Sequence, residues 1–199
     1  QTALSSWIHY LRTKGLAERE VRAGIDRGLD AVILNPANII GRYDVRNWST
    51  LIWLAASGRL TSAPPGGGSF CEARAVASAH VEAAERGRTG ANYLLGGADA
   101  SYLAMIGEIG EIVDRPVPER ATSPIALKLA ARVMVTMSAL SGRTPLLTPE
   151  KAALVSVAMH CTSERAIREL DFRPEPLRAM LESCCTWMRE VGRLPEAGR

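Results

Sequence analysis

A chain of 199 residues with 47% hydrophobic and 23% charged residues can bury a core as one generous domain or as parts of two. Its net charge of +3 comes from scattered arginines rather than runs, and no basic stripe interleaves with aromatics, which argues against a nucleic-acid partner. The longest apolar stretch, Ile125 to Leu140, is interrupted by Lys128 and Arg132 and is too short to span a bilayer.

The chain begins at Gln1 rather than at a methionine and enters a helical pattern almost at once, which looks like a cut edge. Trp7 to Arg27 reads as a helix: Leu11, Leu16, Val21 and Ile25 fall near one stripe, and Glu18, Arg19, Glu20 and Arg22 fill the other faces. Gly28 follows the last periodic residue, where a helix-terminating glycine belongs. "DAVILNP" is a short apolar run ended by Asn35-Pro36, the pattern of a strand buried on both faces in a parallel sheet. Helix, short loop and apolar strand make the second half of an α/β repeat.

"NIIGRYD" reads as a loop, "NWSTLIWLAASG" as a helix closed by Gly58, and "SAPPGGGS" as a turn or flexible loop. "SFCEARAVASAHVEAAERG" gives a short strand and then a helix with Val76, Ala77, His80, Val81 and Ala84 on one face, where His80 suits a satisfied core histidine better than a catalytic one. "ANYLLGG" is another short strand. From Ser101 onward the pattern is almost wholly helical: Tyr102 to Val113, Ser123 to Leu140, Pro149 to Met159, Ser163 to Leu170 and Pro176 to Val191. No period recurs, which excludes a repeat array.

Cys71, Cys161, Cys184 and Cys185 show no paired C-x-x-C spacing and follow no targeting segment, as expected of reduced thiols in a cytoplasmic protein. His160 and Cys161 read as packing residues, because zinc needs three or four ligands and none accompanies them. No metal is expected.

One pair carries chemistry. The chain has three lysines, Lys14, Lys128 and Lys151, among 24 basic residues, and Lys14 follows Tyr10 by four positions. On a helix that spacing puts both side chains on one face. A free phenol, with pKa near 10, is a poor base at neutral pH. An ammonium about 4 Å away at an effective dielectric near 20 stabilises a phenolate by roughly 4 kcal/mol, enough to make a usable general acid/base. Lysine does this as a compact, rotatable point charge better than arginine's rigid fork. The alternative is a surface tyrosine beside a solubilising lysine.

Tyr-x-x-x-Lys on a helix, then a buried strand ending in Asn-Pro and then "IIGRYD", resembles the extended short-chain dehydrogenase/reductase family, in its NAD-dependent epimerase/dehydratase and dihydroflavonol-reductase-like branch. The resemblance continues through "RAVASAHVEAAERGRTGANYLLGG" and "TSERAIRELDFRPEPLRAMLESCCTWMREVGRL", and so covers nearly the whole chain. It implies an α/β fold: the C-terminal part of a Rossmann-type NAD(P)-binding domain (1–46) with a mainly helical substrate-binding region (47–199), whose strands near 69–72 and 91–95 return to the sheet. It implies Tyr10 as catalytic acid/base and Lys14 as the residue that activates it and holds the nicotinamide ribose of NAD or NADP. Asn35, Pro36 and Asn38 would lie along the nicotinamide, with Asn35 also on the substrate side. Arg74 would be a substrate-side residue, though a solvated helix start explains it equally well.

Several family features are missing. No strand is followed by a Gly-x-x-Gly-x-x-Gly turn and a helix: Gly66-Gly67-Gly68 opens no helix, and Gly96-Gly97 lacks a third glycine. Ser5 and Ser6 stand too close to Tyr10 to be the family's catalytic serine or threonine, and Ala75 stands where many relatives carry an acid. The economical expectation is a C-terminal half of a longer enzyme, with a front strand that exposes a pairing edge. The reaction implied is oxidoreduction, epimerisation or dehydration by hydride transfer; the alternative is a non-catalytic fragment or descendant acting as a binding module. The substrate would be a small molecule, either a sugar nucleotide or an apolar ketone or alcohol, for which the helix from Ile125 to Leu140 is a lid or a plain core helix. Homodimerisation through the first helix is a family expectation.

Overall fold

The computed structural model of the chain describes residues 3–142, 144–145 and 147–194. After a 3₁₀ turn at Ala3–Ser5, helix α1 (His9–Asp26) leads to strand β1 (Ile33–Pro36). The helix stops because Gly28 adopts φ +98°, a conformation cheap only for glycine. Gly28 N–H then donates to Ile25 O and Leu29 N–H to Gly24 O, capping the last turn. Helix α3 (Ala73–Arg86) and strand β4 (Asn92–Leu95) follow later in the chain, and β4 pairs in parallel with β1 from Ile33↔Asn92 to Pro36↔Leu95.

A second sheet is built on β3 (Gly67–Glu72). Strand β2 (Asn38–Ile40) runs parallel to it, β5 (Ala98–Ser101) antiparallel, and the two-residue β6 (Ala158–Met159) pairs with Gly67 and Gly68. Helices α2 (Trp48–Ala56), α4 (Tyr102–Val113) and α8 (Leu177–Glu190) cover it, enclosing a core with Ile40, Ile52, Phe70, Met105, Ile109, Met180 and Leu181 at its centre. Trp48, Phe70 and Tyr102 pack ring against ring, with centroids 5.5 to 6.2 Å apart. Between α3, β4 and α7 (Glu164–Leu170) lies a second cluster that includes Val76, Tyr93, Leu95, Leu170 and Phe172. Among the described residues, helices α5 (Pro124–Ser141) and α6 (Pro149–Leu154) share a small satellite of Leu127, Ala131 and Ala152, with Leu147 and Val155 packed against it.

Most helices fall where the periodicity puts them, and the α/β class holds. Four local readings are corrected. "NIIGRYD" is not all loop: its first residues are β2. "SAPPGGGS" is not all loop: Gly67 to Ser69 belong to β3, Gly66 to Ser69 are buried, and a Cβ on Gly66 would stand 2.6 Å from Val155 O and one on Gly68 2.8 Å from Met159 O. The glycines are there because three strand segments crowd one line of backbone. The helix from Pro149 ends at Leu154 and its tail returns to the sheet as β6. Finally, β1 is half-buried rather than buried on both faces, because among the described residues it pairs only with β4.

Two side-chain expectations also change. The buried stripe of α3 is Val76, Ala79 and Ala83, whereas His80 faces solvent and binds the carbonyl of Val76 through Nδ1 at 2.8 Å. His160 is not a packing residue: half-exposed, it meets Asp99 at 3.2 Å. All four cysteines are free, and burial pushes the Cys71 and Cys184 thiols up to about 12 and Cys185 to about 11. No described helix is long and apolar enough to cross a membrane.

Candidate active site

Tyr10 and Lys14 sit in the first two turns of α1, on one face, as their spacing requires. Tyr10 is 57% exposed, and the Lys14 ammonium lies over its ring, 6.0 Å from the centroid. No residue of α1 is fully buried. Its N-terminus has no side-chain cap of its own. Instead, Ser6 Oγ accepts from Ile8 N–H at 3.2 Å, and Glu150 at the start of α6 accepts from His9 N–H at 3.3 Å. That carboxylate satisfies an orphan amide and suits the positive end of the helix. It also ties α6 to the turn that carries Tyr10.

The segment after β1 behaves less uniformly. Asn35 is exposed in β1, and its Nδ2 donates to Asn92 Oδ1 on β4 at 2.9 Å. Pro36 closes the strand, where its missing N–H costs the ladder little. Asn38 turns inward: its Nδ2 donates to the Ser69 carbonyl at 3.0 Å, locking β2 onto β3. Arg74 lies apart, exposed in the first turn of α3 on a cleft of about 370 Å³ that it shares with Glu72, Glu82, Asp171, Arg173 and Glu175. No residue of α1 or β1 lines that cleft.

A polar cluster not foreseen from the sequence occupies another cleft, of about 480 Å³, between β5 and α7. Asp99 accepts from Ser69 Oγ and faces His160, and Ser69 Oγ in turn accepts from Cys161 N–H at 2.9 Å. The Ser69 hydrogen bond and His160 hold the Asp99 carboxylate below its ordinary range. The order Ser–Asp–His places the acid in the middle, so His160 cannot take a proton from Ser69 as a nucleophile's base would. These three residues come from β3, β5 and the strand end after β6, so no spacing in the sequence announces them. No group of three or more His, Cys, Asp or Glu residues suited to a metal occurs among the described residues.

No family model matches the chain. It is 29% identical over 187 residues to sterol demethylase protein B of Methylococcus capsulatus, covering 92% of this chain and 57% of that protein. It is 26% identical over 190 residues to a protein of Synechocystis named as a dihydroflavonol 4-reductase, covering 92% and 55%. Its fold matches that of a nucleoside-diphosphate-sugar epimerase from Pseudomonas aeruginosa with a TM-score of 0.76 at 23% identity, over 96% of this chain and 58% of that one. More distant structures of this fold include a Bordetella bronchiseptica enzyme with NAD+ and a Pseudomonas aeruginosa protein with NADPH, at 18% and 16% identity and TM-scores of 0.65 and 0.61. The chain spans little more than half the length of the curated relatives it matches. In sequence and in fold, therefore, it is similar to the C-terminal portion of extended short-chain dehydrogenase/reductases of the NAD-dependent epimerase/dehydratase and dihydroflavonol-reductase-like kind.

Proposed function

We propose that this chain carries the proton-transfer half of an NAD(P)-dependent oxidoreductase, epimerase or dehydratase, with Tyr10 as acid/base and Lys14 as its partner. The observation that carries the reading is the pairing of these side chains on the open face of α1, directly ahead of the parallel β1–β4 unit. The residues suit the nicotinamide–ribose end of the cofactor: a hydroxyl, an ammonium, the exposed Asn35 and the half-buried Pro36 at the carboxyl end of a parallel strand, where ligands of open α/β sheets bind. They do not suit its pyrophosphate, because no glycine-rich turn opens a helix in this sequence. Asn38 is the third candidate along that segment, held in place by the hydrogen bond from its Nδ2 to the Ser69 carbonyl.

When bound, the nicotinamide supplies hydride transfer. Tyr10 gives a proton to, or takes one from, the substrate oxygen as that carbon is reduced or oxidised. Lys14 holds the ribose hydroxyls and steadies the phenolate charge. The chain divides, on this reading, into 1–46 with the cofactor-binding sheet and 47–199 with the substrate side, β4 crossing back to pair with β1. The substrate is a small molecule, a sugar nucleotide or an apolar ketone or alcohol, and Arg74 is a candidate for its polar end.

Lys14 supplies the test. In the enzyme that carries this chain, Lys14→Met is expected to raise the dissociation constant for the nicotinamide cofactor and lower kcat together, with Lys14→Arg recovering affinity better than turnover. Unchanged cofactor affinity and turnover in Lys14→Met would reject the assignment.

A further inference from the structure

Tyr10, Lys14, Glu18 and Arg22 follow one another at four-residue intervals, so α1 stacks a carboxylate and a guanidinium on the face that carries the tyrosine and the lysine. Glu18 also reaches beyond its own helix. Its Oε1 accepts from Arg22 Nε and Nη2 at 2.9 and 2.6 Å, and from Asn92 Nδ2 of β4 at 3.3 Å. Asn92 in turn accepts, through Oδ1, from Asn35 Nδ2 of β1 at 2.9 Å. Arg165 of α7 donates to the Asn92 backbone carbonyl at 3.3 Å and holds that residue in place. Half-buried Asn92 therefore joins α1, β1 and α7. Among the described residues α1 puts no side chain into the three apolar clusters, which raises the weight of this polar contact in seating the helix.

The carboxylate decides how both amides are turned. Glu18 can only accept, so Asn92 must aim Nδ2 at it, which leaves Oδ1 for Asn35 and commits the Asn35 Nδ2 to that bond. Among the described residues the Asn35 Oδ1 is then left without a donor, an acceptor at the carboxyl end of β1. We propose that Asn92 is a positioning residue of the active site. It sets the spacing between α1 and β1, so that Tyr10, Lys14 and Asn35 stand in one fixed constellation, and it turns Asn35 to present its oxygen to the bound ligand. The inference rests on the acid/base reading of Tyr10 and Lys14, and it adds a residue that touches neither substrate nor cofactor. A displacement of about 1 Å in such a constellation costs about 10²-fold in rate.

The test is a double-mutant cycle in the enzyme that carries this chain. Asn92→Asp keeps the size of the side chain and still accepts from Asn35, but it cannot donate to Glu18 and sets two carboxylates against each other. Adding Glu18→Gln offers an amide N–H to the new carboxylate and restores the bond with its direction reversed, while Asn35 stays turned as before. Single-turnover hydride transfer at saturating cofactor should slow roughly 10- to 10²-fold in Asn92→Asp and return to within a few-fold of the parent in the double variant. The urea unfolding midpoint should fall and recover in step with it. A midpoint that falls while the rate stays at the parent value makes Asn92 a structural fastener alone and overturns the proposal. A double variant no faster than Asn92→Asp overturns it as well. Failure of the acid/base reading shows elsewhere: a Tyr10→Phe enzyme at the parent rate, with the coupling between Glu18 and Asn92 intact in the midpoints, takes away the group being positioned.

Discussion

Gly67→Ala separates a flexible loop from a crowded strand. Were Pro64 to Ser69 a mobile loop, alanine there would be neutral or stabilising by about 0.4–1 kcal/mol, through the unfolded state. In the structure Gly67 pairs with Ser101 of β5 and with Ala158 of β6 at once. Its φ is not positive, so alanine's backbone is allowed and any cost is steric. An added Cβ would overlap the Ala100 carbonyl oxygen and lie 2.7 Å from Ser101 Cα. Both are backbone atoms of a paired strand, which cannot swing aside as a side-chain tip would. Overpacking of this kind costs about 1–3 kcal/mol, and a backbone clash belongs in the upper part of that range. At about 2–4 °C per kcal/mol for a chain of this size, Tm should fall by roughly 4–12 °C. Gly107→Ala in α4 is the control: its Cβ meets nothing within 4 Å, and removing a helical glycine should raise stability by about 1 kcal/mol. Thermal melts followed by circular dichroism read both. A Gly67→Ala protein that melts at or above the parent temperature, or equal losses in the two variants, would refute the steric argument.

Three further outcomes are expected. Around Glu169, partial desolvation is outweighed by hydrogen bonds from Tyr93, Arg88 and Arg165, which hold its carboxylate down to about 2. Its stabilisation over Glu169→Gln should therefore be complete above the ordinary carboxylate pKa and fade as pH falls toward about 2. Melts of the two proteins across that window check the sign, and a gap that widens on acidification would contradict it. Among the thiols, iodoacetamide at mildly alkaline pH should label the half-buried Cys161 before Cys71, Cys184 and Cys185, whose burial both blocks access and disfavours the thiolate; peptide mapping by mass spectrometry gives the order. Leu181, with none of its surface exposed in the main core, should cost about 2–5 kcal/mol when cut to alanine, measured by urea unfolding.

How far the sequence speaks depends on whether a feature is local. The helices were legible because apolar spacing and terminating glycines act within a few residues: α1 ends at Gly28 and α2 at Gly58, both with positive φ. The β1–β4 pair was legible as two short apolar runs. β2, β5 and β6 were not, because they hold two to four residues each and exist only through pairing with β3. The glycines of β3 illustrate the ambiguity, since the same composition serves loose loops and close backbone approach. Tyr10 and Lys14 could be read because both lie on one helix. The Ser69–Asp99–His160 chain could not, because its members come from β3, β5 and the residue that follows β6. The Glu18–Asn92–Asn35 bridge escaped the sequence for the same reason, since it joins α1, β4 and β1.

The central claim is that Tyr10 moves the proton. Its most direct test is single-turnover reduction by the enzyme carrying this chain, comparing Tyr10 with Tyr10→Phe at saturating cofactor. Loss of a positioned acid/base should slow the chemical step about 10²–10⁴-fold while cofactor affinity changes little, because phenylalanine keeps the exposed ring beside Lys14. A Tyr10→Phe enzyme that reduces substrate at the parent rate would show that the proton travels by another route.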